Sequence, residues 1–396
     1  MDAELLRREP WRQLLILFSI VTMLALLGCT GKTVSDADVA PVGTETGIRI
    51  KGVDFDSTIY RTGVNGDNWC MTWADDGHLY TSCDDGSGWK PRTEVRYNNR
   101  VWRITGGPEK IDADFLPGFP EYLMPDEWYG YGIVSVDGTL YNFITCSNSN
   151  RFRDPFNGVK LISSTDHGDT WFRHDGQDAS VNPKEKSPEA MFFWREGDEY
   201  AFSEIAFLQC GQDNTQAKDN YVYLYSPNGQ FDKRHLNLAR VPKDQIRNRE
   251  AYEYYMSMDA GGLPVWTPEL HKRGSIHEFP EGYGWYSWLP GVVYNAPLDL
   301  YIMASGGTGK NGSGMHELPA SLGLYYAQYP WGPWKQFFYT DEWVADNPDN
   351  RLYQPKLSPK WISDDGREMY LIFSDASDHW GYQYKWNQQK ITLNIE

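Results

Sequence analysis

The chain has 396 residues, enough for one large or two ordinary domains around a sizeable core. It carries 37 Lys and Arg against 54 Asp and Glu; the net charge of −17 disfavours nucleic acid and anionic lipid headgroups as partners. Aromatics are 15% of the residues and mean hydropathy is −0.60, which excludes a polytopic membrane protein and a generally disordered chain. With 37 Gly and 23 Pro, the composition is that of an all-β protein of short strands and frequent turns.

Arg7, Arg8 and Arg12 precede an apolar run from Leu14 to Leu27. That run is shorter than the roughly 20 residues of a spanning helix. It ends Leu26-Leu27-Gly28-Cys29, which resembles a bacterial lipobox. The resemblance implies a signal peptide over residues 1–28 and lipidation of Cys29. The protein would then be held in the cell envelope by lipid alone, and Thr30 fits the outer membrane. Residues 29–46 are polar and aperiodic and read as a flexible tether, which leaves 47–396 as the folded domain. Export permits disulfides. Cys70, Cys83, Cys146 and Cys210 contain no CxxC pair, so zinc and thioredoxin chemistry are not expected. A cross-strand Cys70–Cys83 bridge and free buried thiols both stay open.

From residue 47 the chain alternates two kinds of hairpin. The first kind covers 67–83, 129–146, 189–207, 286–305 and 352–375; the second covers 98–106, 159–174, 220–237, 322–340 and 381–396. Each alternates apolar with polar residues at period 2. Asp-Gly at 76–77, 137–138 and 365–366 are hairpin turn signals, since Gly accepts φ > 0. Five such alternations predict a five-bladed β-propeller of four-stranded antiparallel blades, its last blade completed by the strand at 47–56. Residues 241–255 (VPKDQIRNREAYEYY) predict one helical insertion between blades three and four. Ser164, Asp166, Gly168 and Trp171 form an S-x-D-x-G-x-x-W Asp-box, a structural turn common in propellers.

The densest acidic and aromatic stretch is 63–89. Folding its hairpin about residue 76 sets Asp67 opposite Asp85, with Cβ atoms about 5 Å apart. Two acids so placed repel, and one should hold its proton. Glycoside hydrolysis needs such a pair: a proton donor, plus a nucleophile or water-activating base. Further candidates for a saccharide site are Trp69, Trp285 and Trp288 as stacking faces, Glu189 at an inner strand, and Gln209 and Asp213 as hydrogen-bonding groups. Asp375 and His379 are weaker candidates. The eight His show no HxxxH or HExxH spacing, so no zinc and no cofactor are expected.

GDNW (66–69), TWADDGHLYTS (72–82), DDGSGW (84–89), FLQCGQDN (207–214), LARVPKDQI (238–246) and PWGPW (330–334) resemble the domain-of-unknown-function 4185 family. The resemblance implies a five-bladed propeller. It also implies kinship with the endo-acting D-arabinan hydrolases of glycoside hydrolase family 183, whose catalytic aspartates match Asp67 and Asp85. The chain departs from that pattern at Cys70 and Cys83-Asp84. The expected function is a lipid-anchored hydrolase of a polysaccharide, an arabinan among the candidates. The alternative is a glycan-binding lipoprotein without chemistry.

Overall fold

The computed structural model describes residues 47–147, 155–194, 201–230, 232, 234–306, 318–376 and 385–396. The signal peptide and tether expected at 1–46, Cys29 and His379 lie outside them.

The protein is all-β. After β1 (Ile50–Thr62) come β2 (Asn65–Asp67), β3 (Met71–Trp73), β4 (Leu79–Gly88), β5 (Tyr97–Gly107), β6 (Lys110–Phe115) and β7 (Tyr122–Leu123). Next are β8 (Trp128–Val136), β9 (Thr139–Ser147), β10 (Phe156–Ser164), β11 (Phe172–Arg173) and β12 (Phe193–Trp194). They are followed by β13 (Ala206–Gln209), β14 (Tyr221–Pro227), β15 (His235–Pro242), β16 (Glu253–Met258), β17 (Pro264–Thr267) and β18 (Ser275–Glu278). The last are β19 (Gly291–Asn295), β20 (Leu300–Gly306), β21 (Ala320–Ala327), β22 (Lys335–Trp343), β23 (Arg351–Ile362), β24 (Glu368–Ala376) and β25 (Lys385–Ile395).

Antiparallel meanders dominate. One sheet runs β2-β4-β5-β6, a second β8-β9-β10-β11, and a third β23-β24-β25-β1. A ten-stranded sheet joins β13–β18 to β19–β22 through one parallel pairing, β13 with β19. β1 pairs with β25 from Ile50↔Ile395 to Thr62↔Trp386, so the N-terminal strand completes the last sheet as its sequence suggests. The three Asp-Gly turns form, with Gly77, Gly138 and Gly366 at φ 83°, 73° and 73°. In the Asp-box, Asp166 Oδ1 accepts from Ser164 Oγ (2.7 Å) and the Thr170 N–H (2.9 Å), and Trp171 is buried against Phe119. Cys70, Cys83, Cys146 and Cys210 are buried free thiols.

Two expectations fail. Among the described residues of 189–207, β12 pairs with β10 of the preceding sheet and not with β13, the short innermost strand of the next group. Residues 241–255 hold two single 3-10 turns, Lys243–Gln245 and Arg249–Ala251, then enter β16 at Glu253. Among the described residues there is no α-helix. Tyr252 and Tyr254 are apolar anchors there, and both are drawn into the core with Phe192, Phe193 and Phe202.

A narrow cavity of about 20 Å³ runs between β3, β8, β13, β19 and β23. Room for about one water is all it offers. Around it, large rings fill the space between sheets. Trp69 is fully buried and meets Trp89 at 5.2 Å and Trp386 at 5.5 Å, with Trp102 in the same cluster. Trp69 thus joins the first sheet to the last. Trp69→Ala is expected to cost about 3–5 kcal/mol of stability, read from urea unfolding; a loss under 1 kcal/mol would contradict this packing role.

Candidate active site

The site begins with an irregularity in the first sheet. Thr72 faces Tyr80, as folding about residue 76 requires. Further along, Asp67 faces Asp84, and Asn65 faces Gly88. Asp85, Gly86 and Ser87 therefore oppose Gly66 alone. Such a bulge bends the strand and re-aims a side chain. A Cβ on Gly86 would lie 2.5 Å from the Gly66 Cα, so two glycines let the backbones close. The Ser87 N–H donates to Asn65 Oδ1 at 2.6 Å and pins the bulge. Asp85 adopts φ 48° within it, a left-handed conformation that Asp tolerates better than most residues. The expected Asp67–Asp85 pairing is thus off by one residue. The bulge nonetheless brings Asp85 into electrostatic contact with Asp67, and adds Asp84 to the cluster.

Each acid has its own support. Asp67 is 8% exposed and accepts a short hydrogen bond from the Tyr353 hydroxyl. Burial, then the charge of Asp85, pushes its carboxyl well above the usual range, against the pull of Tyr353, Lys356 and Arg96. Asp84 accepts from the Gly130 N–H (2.9 Å) and from Asn68 Nδ2 (3.1 Å). Burial, Asp67 and Asp85 also raise it well above the usual range. Asp85 is partly exposed and accepts from Asn98 Nδ2 at 3.0 Å. Burial raises it to about 6, with Asn98 and Arg96 resisting. At neutral pH Asp85 is therefore mostly ionised, while the Asp67 carboxyl is pushed well above its usual range.

Side chains from the other sheets complete the site. Tyr129 and Tyr131 lie parallel at 5.9 Å on β8, and Tyr129 donates a short hydrogen bond to Glu127. Trp288 meets Tyr131 edge-on at 6.3 Å and Trp285 at 6.0 Å. Glu204, just before β13, is 1% exposed; burial raises it to about 8, and it accepts from Ser203 Oγ at 2.6 Å. Tyr353 and Lys356 come from β23. Tyr129, Tyr131, Glu204, Tyr353, Lys356 and Arg96 are not among the sequence candidates.

Of those candidates, the structure brings Asp67 and Asp85 together, and Trp288 packs on Tyr131, whose phenol feels Asp84 and Asp85. Trp69 is enclosed by tryptophans and presents no face to a ligand. Glu189 is exposed in the Ser187–Ala190 turn, because its segment packs on β10. Gln209 lines the narrow cavity and donates to the Ile133 carbonyl at 2.8 Å. Asp213 lies by the far end of β8, where it accepts from Ser135 Oγ (2.7 Å) and the Gly138 N–H (2.9 Å) and ties two strand groups together. Asp375 is engaged by Arg61, Asn350 and Asn387.

The Asp85 shift has a stability consequence. Its folded value of about 6 exceeds the ordinary 3.8, so the folded protein holds this proton more tightly than the unfolded chain. The unfolded carboxyl ionises first as pH rises, and stability falls between about pH 4 and pH 6. Asp85→Asn is expected to be more stable than the unsubstituted protein at pH 7 by up to about 3 kcal/mol, with little difference at pH 4. Urea unfolding at both pH values checks this, and an equal effect at both would contradict it.

The model of a family described as "Domain of unknown function (DUF4185)" matches residues 131–385. Among solved structures, the GH43_1 enzyme from Xanthomonas citri aligns with TM-score 0.45 and 13% identity, over 85% of this chain and 90% of that one. The GH43 BlXynB protein from Bacillus licheniformis gives 0.48 and 13%, over 85% and 57%. The xylan beta-1,4-xylosidase from Bacillus halodurans C-125 gives 0.46 and 11%, over 83% and 53%. No curated protein matches.

Proposed function

We propose that the chain, which belongs to the DUF4185 family, is a glycoside hydrolase with Asp67 as proton donor and Asp85 as nucleophile or water-activating base. One observation carries this reading: two interacting carboxyls in one buried corner, the more enclosed one pushed well above the usual carboxylate range and the other raised to about 6. That division of labour is what cleavage of a glycosidic bond requires. The Asp67 proton passes to the leaving-group oxygen. Asp85 attacks the anomeric carbon or takes a proton from the water that does. Tyr129 and Tyr131 lie beside the acids, backed by Trp288.

We read the strand groups as five blades of a propeller. One narrow cavity lined by residues at or beside β3, β8, β13, β19 and β23 supports that arrangement. The substrate is a polysaccharide, with arabinan the first to test, and the enzyme acts from the bacterial envelope on a Cys29 lipid anchor. These finer points rest on the sequence motifs.

The protein is expected to release reducing ends from arabinan or a related furanoside polymer. Asp67→Asn and Asp85→Asn should each lower kcat by about 10²–10⁴-fold with the circular dichroism spectrum unchanged. Saccharide binding without turnover, indifferent to both substitutions, would leave a glycan-binding lipoprotein.

A further inference from the structure

We propose that Lys356 is a positioning residue of this site: a resident cation that balances the aspartate cluster and clasps the segments carrying Tyr353 and Trp288. The inference rests on the hydrolase reading. Lys356 is 4% exposed and lines the central cavity with Cys70, Ile133, Gln209 and Val292. Its Nζ donates to the Leu289 carbonyl at 2.9 Å and to Gln354 Oε1 at 3.0 Å. Leu289 follows Trp288, and Gln354 follows Tyr353, the donor to Asp67. One ammonium thus joins the aromatic wall to the residue that orients the acid.

The titratable groups that face the amine are Asp67 from β2, Cys70 just before β3 and Asp84 from β4. β8, β13 and β19 face it through the uncharged Ile133, Gln209 and Val292. Burial lowers the affinity of this amine for its proton, and Cys70, Asp67 and Asp84 resist that loss. The support is mutual. Lys356 acts on Asp67, whereas Asp85 is stabilised by Asn98 and Arg96 on the other side of the bulge. Of the two acids assigned to the chemistry, the amine therefore acts on Asp67.

That difference gives a signature. In a bell-shaped profile of kcat/KM, the acid limb reports ionisation of Asp85 and the alkaline limb deprotonation of Asp67. Lys356→Met should move the alkaline limb up by about one pH unit or more, leave the acid limb in place, and lower kcat at pH 7 about tenfold, since the donor releases its proton less readily. Gln354→Met removes one acceptor but keeps the charge, and should lower Tm without moving the alkaline limb. An alkaline limb that stays put in Lys356→Met, or moves as far in Gln354→Met, overturns the proposal. If Lys356→Met does not fold, Lys356→Gln is read the same way. If the unsubstituted protein hydrolyses nothing, the hydrolase reading fails by itself. The carboxyl ¹³C titration of Asp67 then decides: a higher midpoint in the Lys356 variant supports the cation's role, and an unchanged midpoint overturns it.

Discussion

Three carboxyl groups share one water-poor corner of a bulged strand pair, and the rest of the site answers to that fact. Asp67, Asp84 and Asp85 are drawn together because β4 places three residues against one of β2. Like charges in such a corner repel strongly, since low local dielectric amplifies every pairwise term. The cations Arg96 and Lys356 act on the group. Three acids against two bases leave one negative charge in excess when all are ionised. Retaining a proton relieves that excess. It stays where enclosure is greater and the neighbouring charge is felt most, which favours Asp67 and Asp84 over the partly exposed Asp85.

Backbone strain gathers at the same place. Asn68, Glu127, Phe202, Leu289 and Gln354 all have φ between 51° and 58°, and each stands at or near an inner strand where the chain enters the site. Phe202 and Leu289 are unusual there, because their Cβ crowds the following carbonyl. Such residues cost of order 1–3 kcal/mol each and persist only where surroundings enforce them. The enforcement comes from rings. Phe202 stacks on Phe193 at 5.8 Å, Leu289 sits with Tyr131 and Trp288, and Gln354 is held by the Lys356 amine. The aromatic content serves packing first, and that packing lets the chain present acids and aromatics in unfavourable conformations.

What could be read from the sequence was local. Asp-Gly turns, the Asp-box and strand alternation depend on residues a few positions apart, and all three formed. Asp67 and Asp85 were legible because one hairpin carries both. The bulge was not, since pairing arithmetic assumes equal residue counts on the two strands and only Gly66 and Gly86 hint otherwise. Residues 189–194 read as an inner strand because Phe192, Phe193 and Trp194 are apolar in a row. That apolarity belongs to contacts with β10 and Tyr252 instead. Trp69 and Trp288 looked alike as residue types and differ only in their distant neighbours. Tyr353 reaches Asp67 across 286 positions of the chain, a relation that no local pattern encodes.

Glu204 extends the charge argument beyond the first sheet. Its carboxyl is raised to about 8 by burial, so it is largely neutral at pH 7. The Tyr131 phenol feels Asp84, Glu204 and Asp85. Each of those charges opposes a phenolate, so the Tyr131 hydroxyl keeps its proton throughout the working range. That phenol is the group on which burial in a second strand group and the aspartate cluster act together.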